Sequence, residues 1–310
     1  MKLTTPVSIE PLERRFGFES RFLFMGSCFA DSIGALMQES GFDAVVNPFG
    51  VLYNPASIAQ SFGRLASRES FTDADVVFHD GLYTSFWHHS RFSRSLQEQF
   101  LEDANAALVD AASVFAAADV CVVTLGTSWV FRHLERDMIV SNCHKIPSAA
   151  FRRERLSAEE SAALLAPVIA SNSDKRWIFT VSPIRHIADG AHGNQLSKAS
   201  LLLAIDSLQR QFGNVSYFPA YEIMMDELRD YRFYAADLMH PSAQAVEYIW
   251  ERFADTYLYD ASTRHQMSEL HQLWLDCHHR MLHPESAEAA AFAERTDAKY
   301  NELKKRYPWI

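Results

Sequence analysis

Ser27 and Cys28 set an oxygen and a sulfur nucleophile side by side. They directly follow the apolar run of residues 22–25 and Gly26, and directly precede a helix-like pattern. A strand-to-helix joint puts its first helical residues among backbone amides that lack intrahelical partners, and these favour negative charge. Such a joint suits a thiolate or a developing alkoxide. Far along the chain, Asp237-Leu238-Met239-His240 offers the matching proton chemistry. His240 is suited to act as general base, and Asp237 to accept its other ring N–H and fix the tautomer. Pro241 and Ser242 then start a helix, so the pair sits on a held turn. Asp-x-x-His alone is common by chance; joined to a nucleophile after the first strand it gains specificity.

Positioning these residues falls to an alternation of short apolar runs and helix-like segments. Strands are predicted at residues 22–25 and 44–46, in "DVCVVTLG", in "RWIFTVSPIRH" and in "NVSYFPAYEIM", with another short extended piece in "MIVSNCHKIP". Helices are predicted at 31–40, 57–65, 97–117, 157–170 and 197–212, and after "DLMHPS". Ser157 and Glu160 have the spacing of a capping box. This order predicts an α/β fold with a doubly wound parallel sheet flanked by helices. Residues 1–260 read as one domain, with a hairpin-like insertion at about 76–95 around Gly81. Residues 261–310 read as a helical C-terminal extension. Polar loops fall at the predicted strand ends, where open α/β sheets collect ligands. They are Gly26-Ser27-Cys28, Asn47-Pro48-Phe49-Gly50, Gly126-Thr127-Ser128 and Ser182-Pro183-Ile184-Arg185-His186.

The literal "GSCFA", with "NPFGVLYNP", "TLGTSWVF", "NCHKIP", "TVSPIRH" and "LSKASL", resembles the GSCFA-domain family, which is SGNH-like (GDSL-type). The resemblance spans roughly residues 1–257 and implies a flavodoxin-like, SGNH-type sheet. It also implies roles. Gly26, Ser27 and Cys28 match the Gly-Asp-Ser of the first SGNH block, which favours the sulfur of Cys28 over the oxygen of Ser27 as nucleophile. Asp237 and His240 match the fifth block. Gly50 corresponds to the second-block glycine whose amide helps form the oxyanion hole, although Pro48 and Phe49 intervene. The third block departs: Gly-x-Asn-Asp becomes Gly126-Thr127-Ser128-Trp129, so the Asn donor is missing. Losing one such donor typically costs on the order of 10²–10³ in rate. Ser128, Asn142 or His144 is then needed to replace it, and His186 is a further candidate for substrate contact.

The expected activity is acyl transfer through a covalent acyl-enzyme, as an ester hydrolase or an O-acyltransferase. The acyl substrate is a glycan, a lipid or a small-molecule ester or thioester; no cofactor is expected, and acyl-coenzyme A is a reasonable donor. The alternative is a binding protein that keeps the scaffold for an acylated or carbohydrate ligand, favoured by the lost third-block Asn. Plainer roles exist for single residues: Cys28 buried in the core, Asp237 as a helix cap, His240 bonded to a backbone carbonyl, Gly50 and Gly126 as turn glycines, His186 as a loop hydrogen bond. Thiol reactivity separates them, because a catalytic Cys28 should alkylate faster than a buried Cys277.

Composition narrows the classes. The 310 residues are 48% hydrophobic and 22% charged, with a formal net charge of −10. Nothing there resembles a phosphate-binding footprint, so nucleic acid is not an expected partner. The basic spot Arg152, Arg153 and Arg155 reads as a solvated face. The four cysteines have no metal-type spacing, and no His-Glu-x-x-His pattern occurs, so no metal is expected. Residues 1–22 match neither a secretion signal nor a membrane span, so a cytoplasmic location with free thiols is expected. The tryptophan and tyrosine stripe from Tyr248 to Tyr257 reads as core. The C-terminal helices are available to pair two subunits.

Overall fold

The computed structural model describes residues 4–12 and 15–310. Five parallel strands form the central sheet: β1 (Arg21–Gly26), β2 (Asp43–Val46), β5 (Val120–Leu125), β9 (Arg176–Val181) and β10 (Val215–Phe218). Their order is β10-β9-β5-β1-β2, so the winding reverses direction between β1 and β5. This is the doubly wound, flavodoxin-like order, and its switch point opens a crevice at the carboxyl ends of those two strands.

Alternation along each strand explains why both faces are covered. Leu23 and Met25 of β1, Val123 of β5 and Phe179 of β9 face one core. That side is covered by α2 (Pro55–Ser67), α3 (Gln97–Ala117), α4 (Ala158–Ala170) and α5 (Gly190–Gln211). Phe22, Phe24, Val122 and Ile178 face the other core. There they meet α1 (Cys28–Glu39), the short α6 (Ala220–Glu222) and α7 (Ala243–Tyr257). Trp250, Phe253 and Tyr257 lie in this second core as the stripe predicted, while Tyr248 is half-buried and donates to Glu227. The capping box at Ser157 and Glu160 is present.

Two additions accompany the central sheet, packed against its helices α2 and α3. The hairpin of β3 (Val76–His79) and β4 (Leu82–Ser85) turns at Asp80 and Gly81, both with positive φ, as a two-residue hairpin turn requires. A second, three-stranded antiparallel sheet has the order β7-β6-β8, from β6 (Trp129–His133), β7 (Met138–Val140) and β8 (Phe151–Arg155). Sequence pattern identified only the β7 region. The charges in "WVFRH" and "FRRER" hide two short strands, and the arginine run is not a uniformly solvated face. Arg153 is paired with Asp189 and lies over the rings of Trp129 and Phe131.

Helix starts also differ from expectation. α1 begins at Cys28 rather than residue 31, because Ser27 is its N-cap and accepts from the Phe29 amide. α5 begins at Gly190 rather than 197, with a polar first turn that shows no apolar period. The extension forms α8 (Ala261–His278) and α9 (Ala287–Arg306). Leu270 and Leu273 of α8, Leu303 of α9 and Tyr307 just beyond it pack together with Phe18 and Ile310 of the same chain. Among the described residues no helix is long and apolar enough to cross a membrane. Cys277 is exposed on α8, contrary to the expectation that it is buried; the fully buried thiol is Cys121 in β5.

Candidate active site

The joint after β1 is built so that one of its two nucleophile-type residues is sealed and the other is open. Gly26 has φ +151°, and a Cβ there would lie 2.2 Å from the Thr124 carbonyl oxygen, so only glycine lets β1 and β5 approach this closely. Asn47 clamps the turn: its Oδ1 accepts from the Gly26 amide at 2.7 Å and its Nδ2 donates to Asp31 of α1 at 2.6 Å. Ser27 is fully buried, its amide donates to the Thr124 carbonyl, and its hydroxyl caps α1. Of the two nucleophile candidates, Ser27 thus has its hydroxyl inside the core as the α1 cap. Cys28 is half-buried, begins α1 and lines a cleft of about 860 Å³. Its amide has no hydrogen-bond partner among the described residues, as expected for the first turn of a helix.

His240 lines the same cleft. Its Nδ1 lies 2.6 Å from Asp237 Oδ2. The other carboxylate oxygen of Asp237 accepts from the amides of Met239 at 2.9 Å and His240 at 3.0 Å. Leu238 takes φ +59° to close this turn. The backbone amides of His240 and Met239, then the His240 ring, hold the Asp237 pKa down to about 2. An ionised Asp237 makes Nδ1 the protonated nitrogen of a neutral His240 and leaves Nε2 as its lone-pair acceptor.

The small sheet supplies the facing wall through Trp129, Val130, Phe131, Val140 and Arg153. Asn142 lines the cleft beyond β7; its Oδ1 accepts from the His144 amide, so the side chain is oriented. Tyr53 brings its hydroxyl to 3.7 Å from Cys28 Sγ, and burial followed by the neighbouring Cys28 raises its pKa, so it stays protonated. His186 lines the cleft edge-on to Tyr53, with its amide held by Asn194 and its Nε2 buried without a partner among the described residues. Burial, with the nearby Lys198, lowers the His186 pKa to about 4, so this ring is neutral near pH 7. Lys198 is itself fully buried and ties two strand ends together, donating at 2.7 Å to the carbonyls of Gly126 and Ser182.

Four expected residues are turned elsewhere. The Gly50 amide donates to the Asn47 carbonyl at 2.8 Å, and its α-carbon packs on His89, so it offers no oxyanion donor. The Gly126 amide is likewise spent on the Tyr53 carbonyl. Ser128 is fully buried, so its hydroxyl does not replace the missing third-block Asn. The His144 ring bonds the Ser85 carbonyl and the Thr84 hydroxyl in the hairpin. Conversely, Tyr53, which the sequence did not single out, and Arg153, read there as part of a solvated face, both reach the cleft. Tyr53 lay inside the quoted "NPFGVLYNP", where a tyrosine among loop residues was the available signal.

Comparison with known proteins gives the following. The profile of the GSCFA family matches residues 21–253. No curated protein matches the sequence. Among solved structures the chain is similar to a Corynascus thermopiles (Myceliophthora fergusii) carbohydrate esterase family 2 enzyme with its carbohydrate-binding domain. Identity is 11%, over 85% of this chain and 69% of that one, with a TM-score of 0.41, a likeness too loose to bear on activity.

Proposed function

This chain belongs to the GSCFA family, and from that premise we propose that it is an SGNH-like acyl-transfer enzyme with Cys28 as nucleophile. The observation that carries the reading is that Cys28 and His240 line one cleft, with Asp237 2.6 Å from His240 Nδ1. His240 Nε2 takes the Cys28 proton as Sγ bonds to the carbonyl carbon of an ester or thioester. The oxyanion is received by the Cys28 amide, with the Asn142 side chain and the Tyr53 hydroxyl as further donors. Asn142 thereby does the work of the missing third-block Asn. His240 returns the proton to the departing alcohol or thiol, leaving an acyl-thioester on Cys28. Water or an acceptor alcohol, deprotonated by His240, then takes the acyl group and restores the thiol. Asp237 holds the ring and balances the imidazolium throughout.

Every step uses side chains and backbone amides, so no cofactor enters; acyl-coenzyme A fits as a donor, and glycan or lipid esters as substrates. The binding-protein alternative rests on one observation, the sealed Ser128 hydroxyl in place of the third-block Asn. Turnover separates the two. Initial rates with 4-nitrophenyl acetate and an acetyl thioester are expected to fall by about 10³-fold or more in Cys28→Ala. Ester turnover that is equal in the parent and in Cys28→Ala excludes this mechanism.

A further inference from the structure

Arg185 is the unbalanced charge of the cleft. It lines the same cavity as Cys28 and His240. Its amide donates to the Met239 carbonyl at 3.1 Å, which fixes it one residue from His240. Its Nε is buried with no acceptor among the described residues. Its Nη1 contact is the Met225 thioether at 3.3 Å, and thioether sulfur is a weak acceptor. The Tyr234 hydroxyl is a neutral hydrogen-bond partner of the guanidinium, and Tyr221 lies near it; burial raises the pKa of both, so neither supplies a countercharge. No carboxylate among the described residues pairs with it. Other shielded arginines differ: Arg153 faces Asp189, Arg252 faces Glu227 and Arg64 faces Asp75. Of the other cleft charges, Arg153 is paired with Asp189, and the Asp237 carboxylate is turned to the Met239 and His240 amides and the His240 ring. Lys198, close enough to feel the Arg185 charge, is a second buried nitrogen without an acid partner among the described residues, its protons directed at two carbonyls.

A guanidinium is always charged, presents a fixed fork and suits a carboxylate or phosphate bidentately. A buried donor left without an acceptor carries a desolvation cost, which an anionic ligand entering the cleft would relieve. We infer that Arg185 is the anchor of an anion subsite, so that the cleft takes a substrate carrying a carboxylate or phosphate group beside the reacting carbonyl. The inference rests on the acyl-transfer reading for calling this ligand a substrate, but the subsite itself is tested by binding alone.

The test is isothermal titration calorimetry at low ionic strength on the full chain, with inorganic phosphate, succinate and neutral succinamide as probes. Saturable binding of phosphate or succinate is expected, with none for succinamide. The tighter anion identifies which group the substrate carries. Arg185→Gln is expected to weaken that binding at least 10-fold, and Arg185→Lys, which keeps charge but loses the fork, to fall between. If Arg185→Gln does not fold, Arg185→Lys against the parent decides. Binding of neither anion to the parent, or equal binding to parent and variant, overturns the inference. Anion binding without ester turnover removes the enzyme reading and leaves the subsite; turnover of neutral esters without anion binding does the reverse.

Discussion

At the scale of single residues, burial separates two neighbours that the sequence leaves equal. Ser27 spends its hydroxyl capping α1 inside the core, while Cys28, one position on, opens to the cleft. Asp237 shows the same economy, satisfying two amides with one oxygen and a histidine with the other. With its pKa near 2, this carboxylate stays ionised across the working pH range. Asp237→Asn should therefore reduce ester turnover on the order of 10³–10⁴-fold at pH 7, by losing the tautomer and the balancing charge. A rate within tenfold of the parent is the contrary result. The placement of Cys28 at the joint and the contact of Asp237 with His240 were legible because both are local, one residue at a strand-to-helix joint and two on one turn. Gly50, Ser128 and His144 were not. Which partner an amide or ring chooses depends on segments far away in sequence, such as the hairpin that takes His144.

At the scale of elements, the parallel strands and their helices were legible because continuous apolar runs and 3.6-residue periods reach that far. β6 and β8 escaped because each is short and carries arginines whose charge masks the strand pattern; Arg132 of β6 pairs with Glu154 of β8, and Arg153 of β8 with Asp189 at the start of α5. The element that positions the proposed nucleophile is the β1–α1 joint, and its fixed point is Gly26. A Cβ at that position meets the Thr124 carbonyl at 2.2 Å, with φ at +151°. Gly26→Ala should cost about 2–4 kcal/mol, read as a lower urea midpoint. It should also slow ester turnover by displacing Cys28. An unchanged midpoint would mean that the close approach of β1 and β5 is not needed.

At the scale of the whole molecule, the hairpin and the small sheet are not ornaments on the doubly wound core. The small sheet walls the cleft, and the hairpin buries His88 among Phe49, Phe71, Phe92 and Phe100. His88 Nδ1 bonds Ser85, while burial, followed by His144 and Arg64, lowers its pKa to about 3 from an ordinary 6.5. Between those values the unfolded chain binds a proton that the folded chain refuses. Stability is then whole above pH 6.5 and falls as pH drops toward 3, with a limiting slope of about 1.4 kcal/mol per pH unit. His88→Asn should flatten the acid side of a urea-midpoint profile between pH 4 and 6.5, and a profile identical to the parent's would contradict this account of the hairpin.

The central claim is that Cys28 carries an acyl group during turnover. Intact-protein mass spectrometry after rapid mixing with an activated acetyl ester tests it most directly, using the parent, Cys28→Ala and Ser27→Ala. The account predicts a single acetyl mass increment that maps to Cys28, persists in a folded Ser27→Ala protein and is absent from Cys28→Ala. An increment that survives in Cys28→Ala, or no increment on the parent while ester is consumed, would contradict it.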